Sequence, residues 1–132
     1  NEDDRTAWEQ SQQIRAFHFE LIARTMRKLQ AMPEGGGTML DRTVIVYLSD
    51  GAETHHSRCF EWPYVVLGNA GGRLRAGQYL QYPDYGSRGH RTINAMHHTL
   101  LHAAGIPQDT FGSHDPNLDE AMHQGPLEQW FA

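Results

Sequence analysis

The sequence predicts an α/β fold: a partial, mostly parallel sheet flanked by helices. Three observations lead there. The run Val44-Ile-Val-Tyr-Leu48 is apolar at every position, β-branched at its start and too short for a buried helix, so it reads as a strand covered on both faces. Gross burial of five such side chains is worth about 10 kcal/mol, at roughly 1.5–3 kcal/mol each, so both faces need cover. A second short apolar run stands at Tyr64-Val-Val-Leu67. Helical periodicity before the first run and after the second supplies the covering layers.

In chain order, the first element spans about 6–32. Ile14, Phe17, Leu21, Ile22, Met26, Leu29 and Met32 recur at three and four residues, with Arg15, Glu20, Arg24, Arg27 and Lys28 opposite. Asp3 or Asp4 is placed to cap its start; Pro33 and the Gly35-Gly-Gly37 run stop it and act as a hinge. His18 lies beside the apolar stripe and reads as a packing or surface residue. The central strand follows at 43–49 and the second strand at 64–68, opened by Pro63, which a strand tolerates at its first residue. Gly71-Gly72 is a turn, and 74–82 is a weaker edge piece broken by Gly77. Arg73 and Arg75 read as solvated charges. From 92 to 104 the positions Ile93, Met96, Leu100, Leu101 and Ala104 restore helical spacing, with Thr92 as cap, Gly105 as left-handed terminator and Pro107 beyond it. The tail, 106–132, has too little period for a domain and reads as an irregular strap docking Trp130 and Phe131 on the core.

The chain has 132 residues, one domain's worth, with a net charge of -5 and no basic stripe that would track a phosphate backbone. Nucleic acid is therefore not an expected partner. No apolar stretch approaches the roughly 18 residues of a membrane helix. The acidic start, Asn1-Glu-Asp-Asp4, reads as a mature product or an excised piece. The single cysteine, Cys59, makes no internal disulfide. Two firm strands are too few for a parallel sheet of typically about five. The single domain is expected to be incomplete, its sheet finished by the rest of a parent chain or by a partner chain, a homo-oligomer included.

In an open α/β sheet, ligands gather past the carboxyl ends of the strands. There the central run gives way to Ser49, Asp50, Gly51, Glu53, His55 and His56, and His90 arrives from a later loop. Mixed carboxylate and imidazole ligands suit zinc, manganese or iron, with calcium open as well. Asp50, Glu53, His55, His56 and His90 are the candidate metal ligands. Adjacent histidines diverge in a strand, so His55 and His56 converge only past a turn, which Gly51 permits. The alternative is a polar loop whose acids and imidazoles bond each other and solvent. Nine histidines are a high count for this length. His97 falls in the apolar stripe of the second helix, and His98 and His102 project on its polar side at a spacing that lets two imidazoles share an ion; Thr99 stands where the metalloprotease pattern has glutamate, so the pair reads first as two neighbouring surface histidines.

The order Thr43-Val-Ile-Val-Tyr-Leu-Ser-Asp-Gly51, Trp62-Pro-Tyr-Val-Val-Leu67 and Ile93-Asn-Ala-Met-His-His-Thr-Leu-Leu-His-Ala-Ala-Gly-Ile106 resembles the carboxy-terminal part of the alkaline phosphatase and sulfatase superfamily. More closely, Pro33 to Thr43, His55-His56, Glu61-Trp-Pro63, Gly71-Gly-Arg-Leu74, Gly89-His-Arg-Thr92, Asp109-Thr-Phe-Gly112 and Gly125-Pro-Leu127 resemble an uncharacterised bacterial family common in planctomycetes, domain of unknown function 1552. The resemblance implies a parallel sheet between helices, export by a twin-arginine signal to the periplasm or outside, and an ancestral metal site at the strand ends. It gives Asp50 a metal-binding role. Where phosphatases often follow Ser-Asp with histidine, this chain has Gly51, so that role passes to Glu53, His55 or His56, or is lost. The superfamily's nucleophile lies on an earlier strand that has no counterpart here. Two functions follow: the carboxy-terminal segment of a metal-dependent phosphate or sulfate ester hydrolase, or a non-catalytic binding or assembly module that kept the sheet and lost the chemistry.

Overall fold

The structure, a computed structural model, describes residues 2–49, 51, 60–108 and 110–132. It divides into two compact units, residues 1–41 and 42–132.

In the first unit, helix α1 spans Glu2–Gln30. It begins earlier than the apolar period, so Asp3 and Asp4 lie within the helix rather than ahead of it. The bonded pairs Arg5–Glu9 and Glu20–Arg24, at 3.0 and 2.9 Å, brace its exposed side for a few tenths of a kcal/mol each, about 0.2–0.5. The Ala31 N–H is shared between the Arg27 and Lys28 carbonyls, which tightens the last turn. Strands β1 (Pro33–Glu34) and β2 (Gly37–Thr38) then form a small antiparallel hairpin. Gly35 and Gly36, at φ +54° and +87°, supply the two left-handed residues of its tight turn, so the glycines reverse the chain instead of acting as a hinge. Asp41 Oδ2 accepts the Thr38 N–H at 2.7 Å and hydroxyl at 2.8 Å, holding its carboxyl below the ordinary range. A Cβ at Gly37 would sit 2.8 Å from that oxygen.

The second unit corrects the expected fold class. Strands β3 (Ile45–Leu48) and β4 (Tyr64–Leu67) pair antiparallel, Ile45 with Leu67 and Leu48 with Tyr64. Among the described residues the sheets are these two antiparallel pairs, with no parallel sheet between helices. Val46, Tyr64 and Val66 share one face and pack on the core; on the opposite face Ile45, Tyr47 and Leu67 are half-buried and Val65 is 38% exposed, while Leu48, at the end of β3, is 44% exposed. One face packs on the core and the other is only partly covered, as an antiparallel pair allows.

Gly68, at φ +97°, turns the chain out of β4, and a Cβ there would collide with the Thr43 carbonyl oxygen. Helix α2 spans Ile93–Ala104 and buries Ala95, Met96, His98, Thr99 and Ala103. Thr92 has N-cap geometry, but its hydroxyl donates to the Met122 carbonyl at 3.4 Å and leaves the helix end alone. At the other end Gly105 is left-handed at φ +81°, and the Gly105 and Ile106 N–H groups return to the His102 and Leu101 carbonyls. Arg73 is no solvated charge: its Nη1 donates to the Ala103 carbonyl at 2.8 Å, a cation on the negative end of the helix.

The piece at 74–82 contributes one bridge, Leu74 to Phe131, flanked by Arg75 N–H to Trp130 O at 2.7 Å and Ala132 N–H to Arg73 O at 3.1 Å. The tail is irregular apart from short 3-10 turns at Glu120–Met122 and Glu128–Trp130. The core is Ala95, Met96 and Leu127, with Val46, Tyr64, Val66, Tyr82, Leu100 and Trp130 packed around it. No helix among the described residues is long and apolar enough to cross a membrane.

Candidate functional site

The apolar runs and the tail leave a cleft of about 840 Å³ in the second unit, a volume in the range of small-ligand sites. Its aromatic lining comes from three places: Phe60, Trp62 and Tyr64 at the approach to β4; Tyr79, Tyr82 and Tyr85 from the loop after Leu74; and Trp130 from the tail. Among the described residues this gathers four of the five tyrosines and two of the three tryptophans of the chain.

Several of these rings are positioned by contacts of the fold, while Tyr79 stands exposed at the rim. The Trp62 indole N–H donates to the Ser49 carbonyl at 2.8 Å, so the residue after β3 holds a lining side chain. Phe60 stacks on Tyr85 at 4.4 Å, and Tyr85 meets the His90 ring edge-on at 5.7 Å. The Tyr85 hydroxyl donates to Asp115 Oδ2 at 2.6 Å, which raises the phenol and, with the Asn117 N–H on Oδ1, holds the Asp115 carboxyl low. Burial pushes the Tyr64 phenol up to about 12, and its hydroxyl is enclosed without a hydrogen-bond partner.

The tail that closes the cleft is held from α2 and the residue before it. Arg91 Nη2 donates to the Gln124 and Gly125 carbonyls at 2.7 and 2.8 Å. The Thr99 hydroxyl donates to Ala95 O and accepts the Leu127 N–H, both at 2.8 Å. His98 Nδ1–H donates to Gly125 O at 3.2 Å. Asn94 Nδ2 donates to the Phe111 carbonyl and, at 3.3 Å, to that of Ser113.

Of the expected metal ligands, Asp50, Glu53, His55 and His56 lie outside the described residues. His90 is described: it lines the cleft, is buried, and its Nδ1–H donates to the Pro83 carbonyl at 2.9 Å, which fixes its tautomer. Among the described residues no group of three His, Cys, Asp or Glu side chains is placed to hold an ion. The polar-side position expected of His98 is overturned, because the tail covers that face of α2 and leaves His98 fully enclosed. His97 packs its ring 4.7 Å from Phe111, and burial, then the neighbouring His98, lowers its pKa.

The cleft itself was not among the expected sites. Its available signal was the density of rings between Phe60 and Tyr85, read at first as strand and loop residues. The lining carries charges of both signs, Glu61, Asp84 and Asp115 with Arg75 and Arg91, so the arrangement offers flat apolar faces with sparse polar groups between them. In comparisons with known proteins, no family model, curated protein or solved structure matches the chain. The likeness to the planctomycete family accordingly rests on the quoted motifs alone.

Proposed function

We propose that this chain is a ligand-binding module within an exported protein of the kind its motifs resemble, with the aromatic cleft of the second unit as its site. The observation that carries this reading is the cleft: about 840 Å³, most of the chain's tyrosine and tryptophan, and rings locked in place by bonds such as Tyr85 to Asp115. Pre-positioned aromatic side chains bind with large contact area and little loss of freedom. Completion of the β3–β4 pair by the rest of a parent chain or by a second copy belongs to the same proposal, since neither strand has a further neighbour among the described residues.

The test follows the indole N–H signals of the full chain by NMR, assigned with Trp→Phe variants, during titration with cyclic sugars, trimethyllysine and decaproline. Movement of the Trp62 and Trp130 signals with Trp8 unmoved supports the cleft. No movement with any probe overturns it.

A second reading is motivated by the acid and imidazoles that follow β3 in the sequence, Asp50, Glu53, His55 and His56, next to Ser49, whose carbonyl holds Trp62. In that reading the parent hydrolyses phosphate or sulfate esters with a divalent ion, which would polarise the ester oxygen. It expects bound zinc, manganese, iron or calcium in the purified protein, lost in Asp50→Ala and His56→Ala. An ion-free native protein ends it.

A further inference from the structure

We infer that the cleft takes a neutral carbohydrate, a pyranose chain lying on the exposed face of Tyr79; this rests on the reading of the cleft as the binding site. Tyr79 is 87% exposed and lines the cleft, a flat phenol with no ring stacked on it among the described residues. Beside it in the chain, Gln81 and Asp84 line the same cleft, and neither side chain is engaged among the described residues. A carboxamide gives both donors and an acceptor, and a carboxylate accepts. Ring hydroxyls, which donate and accept at once, match that mixture, while the C–H face of a pyranose matches the phenol.

Three other ligand classes fit less well. An anion would need a cation to meet it, yet the Arg91 guanidinium is turned to the tail carbonyls, and Arg75 shares the lining with Glu61, Asp84 and Asp115. An organic cation would find rings. However, a cation is held by rings on several sides, and among the described residues no ring stacks on Tyr79; Asp115 is already engaged by Tyr85 and Asn117, which leaves Asp84 opposed by Arg75 in the same lining. A proline-rich peptide docks on aromatic grooves and presents backbone carbonyls. Those need several ring-borne donors in a row, and here the Tyr79 hydroxyl stands alone: the Trp62 N–H is engaged by Ser49, the Tyr82 and Tyr85 hydroxyls by Gln129 and Asp115, and the Trp130 N–H and Tyr64 O–H are enclosed. A neutral polyol needs neither a free cation, nor a cage of rings, nor a row of ring-borne donors.

The experiment titrates the full chain with cellotetraose, maltotetraose, mannotetraose and xylotetraose, read by calorimetry and by the indole signals of Trp62 and Trp130. At least one sugar is expected to bind. Tyr79→Ala is expected to weaken it about three- to tenfold, the scale of one aromatic stacking contact, with Tyr79→Phe within about twofold of the parent. Because Tyr79 is almost fully exposed, the variant keeps its fold, and ligand-free Trp62 and Trp130 signals at the parent's positions check this. If no sugar binds while trimethyllysine or decaproline moves Trp62 and Trp130, the ligand class is wrong and the cleft stands. If no probe moves either signal, both readings fail. Sugar binding that Tyr79→Ala leaves unchanged also overturns the assignment.

Discussion

The hydroxyl of Tyr85 lies 2.6 Å from Asp115 Oδ2, across 30 positions of sequence, and joins the loop that lines the cleft to the tail. The bond lowers the Asp115 carboxyl from its ordinary 3.8, together with the Asn117 N–H. A carboxylate depressed in the folded state adds stability that is fully present above its unfolded value and is lost as pH falls through the folded one. Tyr85→Phe is therefore expected to lower the melting temperature at neutral pH. The gap from the parent should close as pH drops below 3.8, measured by circular dichroism melts across that range.

Thr99 is wholly buried and serves two backbone groups, the Ala95 carbonyl and the Leu127 N–H. Thr99→Val keeps the shape and strands the Leu127 N–H without an acceptor, at a cost of about 1–3 kcal/mol. Thr99→Ser keeps the hydroxyl and should lose less. Urea unfolding of the three proteins checks the order.

Gly68→Ala places a Cβ against the Thr43 carbonyl oxygen at φ +97°. With both the clash and the left-handed backbone against it, the variant is expected to lose at least about 1–3 kcal/mol. Gly36→Ala, at a similar φ of +87° with open space around it, isolates the backbone part of that cost. Equal losses at the two positions would show that the Thr43 contact contributes nothing.

Arg73→Met removes the donor on the Ala103 carbonyl and the positive charge at the end of α2. About 1 kcal/mol is expected, the scale of a charge at a helix terminus. Amide exchange should quicken in the last turn of α2, more than in its first.

His97 titrates below its ordinary 6.5, mainly through burial and next through His98. For a base depressed in the folded state, the unfolded chain takes its proton first, so stability declines as pH falls below 6.5. His97→Phe keeps a ring against Phe111 and removes the titration. Its melting temperature should vary less than the parent's as pH falls below 6.5.

Both long helices were legible because their apolar positions recur at three and four residues, and α2 also carried its own stop at Gly105. The two strands were legible as places and not as a sheet: four-residue apolar runs carry no direction, and uninterrupted apolarity suggested cover on both faces. The link from Ser49 to Pro63 held the missing information. It contains Gly51 and no helical period, where a parallel crossover normally runs through a helix. Gly35-Gly36 was legible as an interruption, while the hairpin needed knowledge that both residues are left-handed. His98 misled for another reason. A helical wheel separates apolar from polar faces, and it has no means of knowing that Gly125 to Leu127 lie across the polar one. The cleft is built from rings as far apart as Phe60 and Trp130, so only the folded chain assembles it.

Leu127 and Trp130 belong both to the lining of the cleft and to the packing around Met96. Whatever settles against them presses on the same joint that keeps the domain shut, so occupancy and durability are linked. A guest here would announce itself first as resistance to heat and to proteases.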